Sequence, residues 1–141
     1  LTGDLRPVLL PPPAPPTRRD NLWRHTCFEA FLQIGNGYLE FNFSPSTEWA
    51  AYRFSGYREG MAEFELEPPQ VKAARDEHAL ELTADLVLPP ALAPVRLGLS
   101  AVIEETDGAK SYWALRHPPG DKPDFHHPDC FAIELPPPPA S

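Results

Sequence analysis

Two runs of strict alternation meet at Asn36-Gly37, and that junction constrains the chain more than any other stretch. Cys27–Ile34 sets Phe28, Ala30, Leu32 and Ile34 on one side and Glu29, Phe31 and Gln33 on the other; Tyr38–Ser44 follows with Leu39, Phe41 and Phe43 on its apolar side. Side chains of a strand point alternately to its two faces, and both Asn and Gly tolerate the positive φ of a tight hairpin turn. A two-residue loop at Asn36-Gly37 pairs Gly35 with Tyr38, Ile34 with Leu39, Leu32 with Phe41 and Ala30 with Phe43. The last three are apolar pairs on one face. A three-residue loop sets Leu32 against Glu40 and mixes the faces, so burial selects the two-residue register. The opposite face carries Glu29, Phe31, Gln33, Tyr38, Glu40 and Asn42. Polar groups interleaved with aromatic rings suit a ligand platform, and equally a solvated face.

The rest of the chain reads the same way. Leu5–Leu10, Glu48–Phe54, Phe64–Leu66, Val71–Ala74, Ala79–Val87, Val95–Glu105, Lys110–Arg116 and Cys130–Leu135 are short strand candidates bounded by turn residues. Asp107-Gly108 is a second hairpin signal. It sets Glu105 opposite Lys110, Val102 opposite Trp113 and Ile103 opposite Tyr112, with Trp113 in the core. Many short strands with regular turn signals predict a two-sheet sandwich. Twenty prolines, clustered at Pro11–Pro16, Pro118–Pro119 and Pro136–Pro139, disfavour helices. They divide the chain into one domain over residues 1–135 and a Pro-rich tail over 136–141.

No apolar run approaches the roughly 18 residues that span a bilayer. The net charge of −8 argues against nucleic acid and against an anionic membrane surface. Cys27 and Cys130 are expected to lie close together as reduced, buried thiols, each at the start of a strand.

Three stretches are unlike generic β sequence. They are Leu22-Trp23-Arg24-His25-Thr26-Cys27-Phe28-Glu29-Ala30-Phe31; Phe41-Asn42-Phe43-Ser44-Pro45-Ser46-Thr47-Glu48-Trp49-Ala50-Ala51-Tyr52; and Ser111-Tyr112-Trp113-Ala114-Leu115 continuing through His117 to Pro123-Asp124-Phe125-His126-His127-Pro128-Asp129-Cys130-Phe131. Taken in order, they make the chain resemble a bacterial DOMON-like domain, related to the family 9 carbohydrate-binding modules, from about Leu1 to Leu135. The resemblance implies an immunoglobulin-like two-sheet antiparallel β-sandwich that binds sugar or, in some relatives, haem. It also implies an N-terminal strand ahead of Leu1.

Sugar recognition needs flat apolar surface for the ring and fixed polar groups for its hydroxyls. Trp23 and Trp49 lie just outside the first two strands and are the aromatic candidates; Arg24, His25, Glu29, Glu40, Asn42 and Arg53 are the polar ones. The segment 117–129 concentrates His117, Asp121, Asp124, His126, His127 and Asp129. His117, Asp124, His126, His127 and Asp129 are weak candidates for a metal such as calcium, because their spacing matches no compact ligand motif. Haem in such folds takes Met and His as axial ligands. The single methionine, Met61, stands beside Gly60 at a turn, so haem is not favoured and no cofactor is expected.

A glycosidase needs two carboxyls about 5–9.5 Å apart. On the register above, Glu29 falls opposite Ser44, four residues from Glu40, or about 14 Å along the strand. That distance, and the absence of a nucleophile elbow, phosphate loop or HExxH motif, predicts a non-enzyme. The expectation is a binding module for a carbohydrate or other small polar ligand. Its rivals are a haem-binding domain and an interaction domain with no small ligand.

Overall fold

A computed structural model describes residues 1–89, 92 and 96–136 of the chain. The fold is all-β, with two antiparallel sheets. The strands are β1 (Cys27–Ile34), β2 (Gly37–Phe43), β3 (Trp49–Phe54), β4 (Ala62–Glu63), β5 (Gln70–Arg75), β6 (Leu80–Asp85), β7 (Arg96–Glu104), β8 (Lys110–Ala114) and β9 (Ile133–Glu134). The larger sheet runs β4-β3-β2-β1-β7-β8, and β9 shares the β7 edge with β8. The smaller sheet is the β5–β6 hairpin. It covers the apolar face of the larger one, where Val71, Leu82 and Ala84 pack with Leu32, Leu39, Phe41, Phe43 and Ala51. From Tyr38 to Phe43 every residue of β2 is buried, as befits a central strand covered on both sides.

Several expected strands differ from those observed. Leu5–Leu10 makes only an isolated bridge, Val8 to Glu105. Cys130 closes a 3-10 turn, Pro128–Cys130, rather than opening a strand. The expected start of β7 at Val95, and the tail from residue 137 onward, lie outside the described residues. Cys27 and Cys130 are buried, unbonded thiols in one core cluster.

The first hairpin keeps the predicted faces but not the predicted partners. Leu32 stands opposite Leu39, Phe41 opposite Ala30, and Phe43 opposite Phe28. The two-residue loop is therefore Gly35-Asn36. Gly35 has φ 57 while Asn36 is not left-handed, so glycine occupies the first central position. Gly37 serves a different need. A Cβ there would lie 2.2 Å from the Phe54 carbonyl oxygen of the neighbouring strand β3. Gly37→Ala is expected to force β2 and β3 apart and cost about 1–3 kcal/mol, measured by urea denaturation.

The second hairpin turns through three residues instead of two. Glu104 pairs with Lys110, Val102 with Tyr112, and Ala101 with Trp113. Gly108 has φ 89, and Asp107 Oδ1 accepts from the Ala109 N–H at 2.8 Å, a type I turn closed by a left-handed glycine. The extra residue exchanges the faces of β8. Tyr112 joins the polar face of the sheet, and Trp113, expected in the core, is 59% exposed.

Candidate ligand-binding site

The polar face of β1 and β2 is neither flat nor simply solvated. The segment after β8 folds back over part of it. Phe131 stacks on Phe31 at 5.9 Å, and His126 meets the edges of Phe31 and Phe54 at 5.1 and 5.2 Å. What this cover leaves open is a cavity of about 810 Å³. Glu29, Glu40, Tyr52 and Val102 are contributed by the sheet. Trp23, Tyr112, Pro123 and Phe125 supply apolar surface, and Asp20, Asn21, Arg58, Met61, Glu63 and His126 supply more of the lining.

The corrected register changes the relation of the two glutamates. Glu29 is opposite Asn42, and Glu40 is opposite Phe31. Glu29 and Glu40 are therefore diagonal cross-strand neighbours, with backbones about 7–8 Å apart, rather than the 14 Å expected. Both are buried. Ser100 Oγ donates to Glu29 Oε2 at 3.3 Å; Oε1 has no hydrogen bond among the described residues. Burial first, and then the negative charge of Glu40, push the Glu29 carboxyl up to about 8. Glu29 is thus mostly a neutral acid at pH 7. The same burial, with the Glu29 charge second, holds the Cys27 thiol well above the usual range.

Glu40 is part of a chain of contacts. His126 Nε2 lies 3.2 Å from Glu40 Oε1, and His126 Nδ1 lies 2.7 Å from the Tyr38 hydroxyl. The Tyr38 oxygen accepts from the Arg58 backbone N–H at 3.1 Å, leaving its own proton for Nδ1. His126 thus bridges the Tyr38 hydroxyl and the Glu40 carboxyl, one ring nitrogen beside each. Burial, ahead of its other neighbours, raises the Tyr38 hydroxyl. Arg58 adopts φ 52, and its Nη2 donates to Asp124 Oδ1 at 2.8 Å; the Tyr57 hydroxyl donates to the same carboxylate. Although burial opposes it, these two donors hold Asp124 below the usual range. The β3–β4 turn and the segment around Asp124 are thereby latched at the cavity rim. Across the cavity, the Tyr52 hydroxyl donates to Asp20 Oδ1 at 2.5 Å. Burial, and then this bond, raise the Tyr52 hydroxyl.

Of the residues expected in a site, Trp23, Glu29 and Glu40 line the cavity. Trp23 is 51% exposed; Arg24 does not line the cavity, and its guanidinium lies 5.5 Å from the Trp23 ring. Asn42 sits on the same face beside Glu29 but is only 1% exposed, and neither of its carboxamide atoms has a partner in the structure. Such an arrangement costs about 1–3 kcal/mol.

His25, Trp49 and Arg53 do not line this cavity. His25 Nδ1 turns to Glu104 at 3.1 Å. Trp49 alternates onto the opposite face, packed with Phe43 and Phe64 at 4% exposure, under the Arg18 guanidinium. Arg53 alternates to that side too and borders a smaller hollow of about 320 Å³.

The candidates for a metal do not converge. Asp124 is paired with Arg58, His126 with Glu40 and Tyr38, and His127 accepts from the Asp129 N–H. His117 lies against Phe125. No group of three His, Cys, Asp or Glu suited to a metal ion occurs among the described residues. Met61 does line the cavity with His126, contrary to the expectation that it is badly placed for haem. Even so, the residues do not fit an axially ligated haem, since both His126 ring nitrogens are engaged and Met61 is exposed at the rim.

Tyr52, Phe125, Asp20 and Arg58 were not anticipated. Tyr52 was reachable, since alternation from Phe54 puts it on the Glu40 face. Asp20, Arg58 and Phe125 come from irregular segments with no period to follow. Comparison with protein-family models, curated proteins and solved structures returned no match.

Proposed function

We propose that the domain is a non-catalytic binding module for a carbohydrate or a similar small polar ligand, held in the cavity above Glu29 and Glu40. The observation that carries this reading is the union, in one cavity, of aromatic walls with a buried polar floor. Trp23, Tyr112 and Phe125 offer apolar surface for the C–H faces of a ring. Glu29, protonated, donates and accepts; Glu40 and Asp20 accept, each from a fixed direction. The DOMON-like resemblance points to the same ligand class.

An exposed cavity must offset the cost of immobilising its ligand. Affinity is expected between about micromolar and millimolar, or roughly −8 to −4 kcal/mol. Trp23 is exposed, so Trp23→Ala is expected to change stability by less than about 1 kcal/mol and to remove binding on a glycan array. Wild-type protein that retains no glycan, or a Trp23→Ala variant that binds like wild type, would favour an interaction domain instead.

One observation favours a second reading, hydrolysis of a glycoside. Glu29 and Glu40 are diagonal neighbours, and burial favours the neutral form of Glu29, the form a general acid needs, beside a second carboxyl. Turnover of nitrophenyl glycosides, abolished in Glu29→Gln, is the result that would establish it over the binding module. Binding without turnover is the result expected here.

A further inference from the structure

The charges around the cavity are unbalanced. Asp20, Glu29, Glu40 and Glu63 line it, against Arg58 as the one Arg or Lys among the lining residues. Arg58 is already paired with Asp124 at 2.8 Å. Asp20 is occupied by the Tyr52 hydroxyl, and Glu63 lies on the exposed edge strand β4. That leaves Glu29 and Glu40 at the floor, where two neighbouring acids share a buried environment. Glu29 is only 6% exposed, yet it lines the cavity with Oε1 unbonded. A buried carboxylate is costly unless an opposite charge accompanies it, and among the described residues His126 is the one basic side chain paired with Glu40.

The walls point to the same complement. A cation is attracted to the faces of Trp, Tyr and Phe, most strongly to Trp, within about 6 Å of the ring. Trp23, Tyr112 and Phe125 stand around an acidic floor, and the Trp23 ring already holds one cation, the Arg24 guanidinium, at 5.5 Å. A neutral sugar satisfies the rings and can bond the acids, but it brings no opposite charge to the buried Glu40.

We propose that the preferred ligand is cationic: a protonated amine carried on a ring the size of a monosaccharide, with the ring against Trp23 and Tyr112 and the ammonium over Glu29 and Glu40. The proposal rests on the binding reading above and narrows it. Glu40 is the anchor of the charge, and Glu29 releases its proton to solvent as the cation approaches, because a nearby positive charge favours its ionised form.

The test is a titration of the native domain at pH 6.5 with glucosamine, and separately with N-acetylglucosamine, following the Trp23 indole N–H signal. The two sugars share a ring and differ in whether the nitrogen is charged. Glucosamine is expected to bind at least about tenfold more tightly. Glu40→Gln is expected to reduce that ratio to less than about threefold. It changes the net charge only from −8 to −7, so a preference arising from the overall charge of the protein would survive it. Equal or tighter binding of N-acetylglucosamine overturns the charge assignment and leaves the cavity as a neutral-sugar site. A tenfold preference unchanged in a folded Glu40→Gln variant also overturns it. If that variant does not fold, the wild-type ratio decides. If neither sugar moves the Trp23 signal, this inference falls, and the glycan array decides the binding reading separately.

Discussion

Stability is expected to fall by about 5 kcal/mol between pH 4.5 and pH 8 through Glu29 alone, and Glu29→Gln is expected to abolish that fall. The Glu29 carboxyl titrates at about 8 in the fold and near 4.5 as an ordinary side chain. Below 4.5 it is protonated whether the chain is folded or not, so it contributes no pH dependence. Between the two values the unfolded chain gives up its proton while the folded chain keeps it. The folded state then binds more protons, and stability drops as pH rises. Three and a half pH units at about 1.4 kcal/mol each give the size of the effect. Above pH 8 both states are ionised and the slope ends. Urea denaturation at intervals from pH 5 to 8 measures it, and this window excludes Asp4, whose depressed value of about 2 acts only in stronger acid. Wild type and Glu29→Gln curves running parallel across the window would show that Glu29 is not buried beside Glu40 as described.

Trp49→Ala is expected to cost about 3–5 kcal/mol, the range for removing a large buried aromatic side chain. Trp49 packs against Phe43, Ala51 and Phe64 between the two sheets. Its loss also releases Arg18, whose guanidinium stands 4.5 Å over the indole ring and donates to the carbonyls of Ala51 and Phe64 at 3.0 and 2.7 Å. Arg18 belongs to the segment that leads from the proline linker into the site at Asp20 and Trp23. The substitution is therefore expected to loosen that side of the cavity as well. Chemical denaturation of Trp49→Ala beside Trp23→Ala gives the comparison: a loss below about 1 kcal/mol for Trp49→Ala would contradict its place in the core.

The contrast between these tryptophans shows what the sequence discloses and what it withholds. Alternation discloses faces. Phe28, Ala30, Leu32, Leu39, Phe41 and Phe43 share one side, and Glu29, Glu40 and Asn42 the other, whichever two-residue loop closes the hairpin. Moving the loop from Asn36-Gly37 to Gly35-Asn36 slides the partners along one face without exchanging sides. The platform of polar and aromatic groups was legible for that reason. The spacing within it was not, because one glycine was read as a turn residue when the close approach of Phe54 requires it. That slip set Glu29 and Glu40 too far apart and removed the acid pair from consideration. At Asp107-Gly108 the loop is one residue longer, which is the change that does exchange sides. Tyr112 joined the site and Trp113 left the core as a result. Trp49 was misplaced for a simpler reason: standing after a loop says nothing about which face a residue takes, whereas its pairing with Phe43 does.

His126 illustrates a limit of another kind. It was marked for a metal because it lies in a segment rich in His and Asp. The segment instead distributes those groups: Asp124 to Arg58, His127 to a turn, and His126 to Glu40 and Tyr38. Composition located the segment, and only the fold could say that its residues face different partners.

The three tryptophans allow the central claim to be tested in one measurement. Trp23 lies at the cavity rim, Trp49 in the core on the opposite face, and Trp113 exposed on β8 with its indole N–H donating to Ser111 at 2.8 Å. Their indole N–H resonances, assigned by substitution and followed while a glycan selected on the array is titrated, report the bound position directly. Saturable movement of the Trp23 signal, with Trp49 and Trp113 unmoved, is the predicted result. A fixed Trp23 signal with movement at Trp113 or Trp49 would place the ligand elsewhere and contradict the assignment of the Glu29–Glu40 cavity as the binding site.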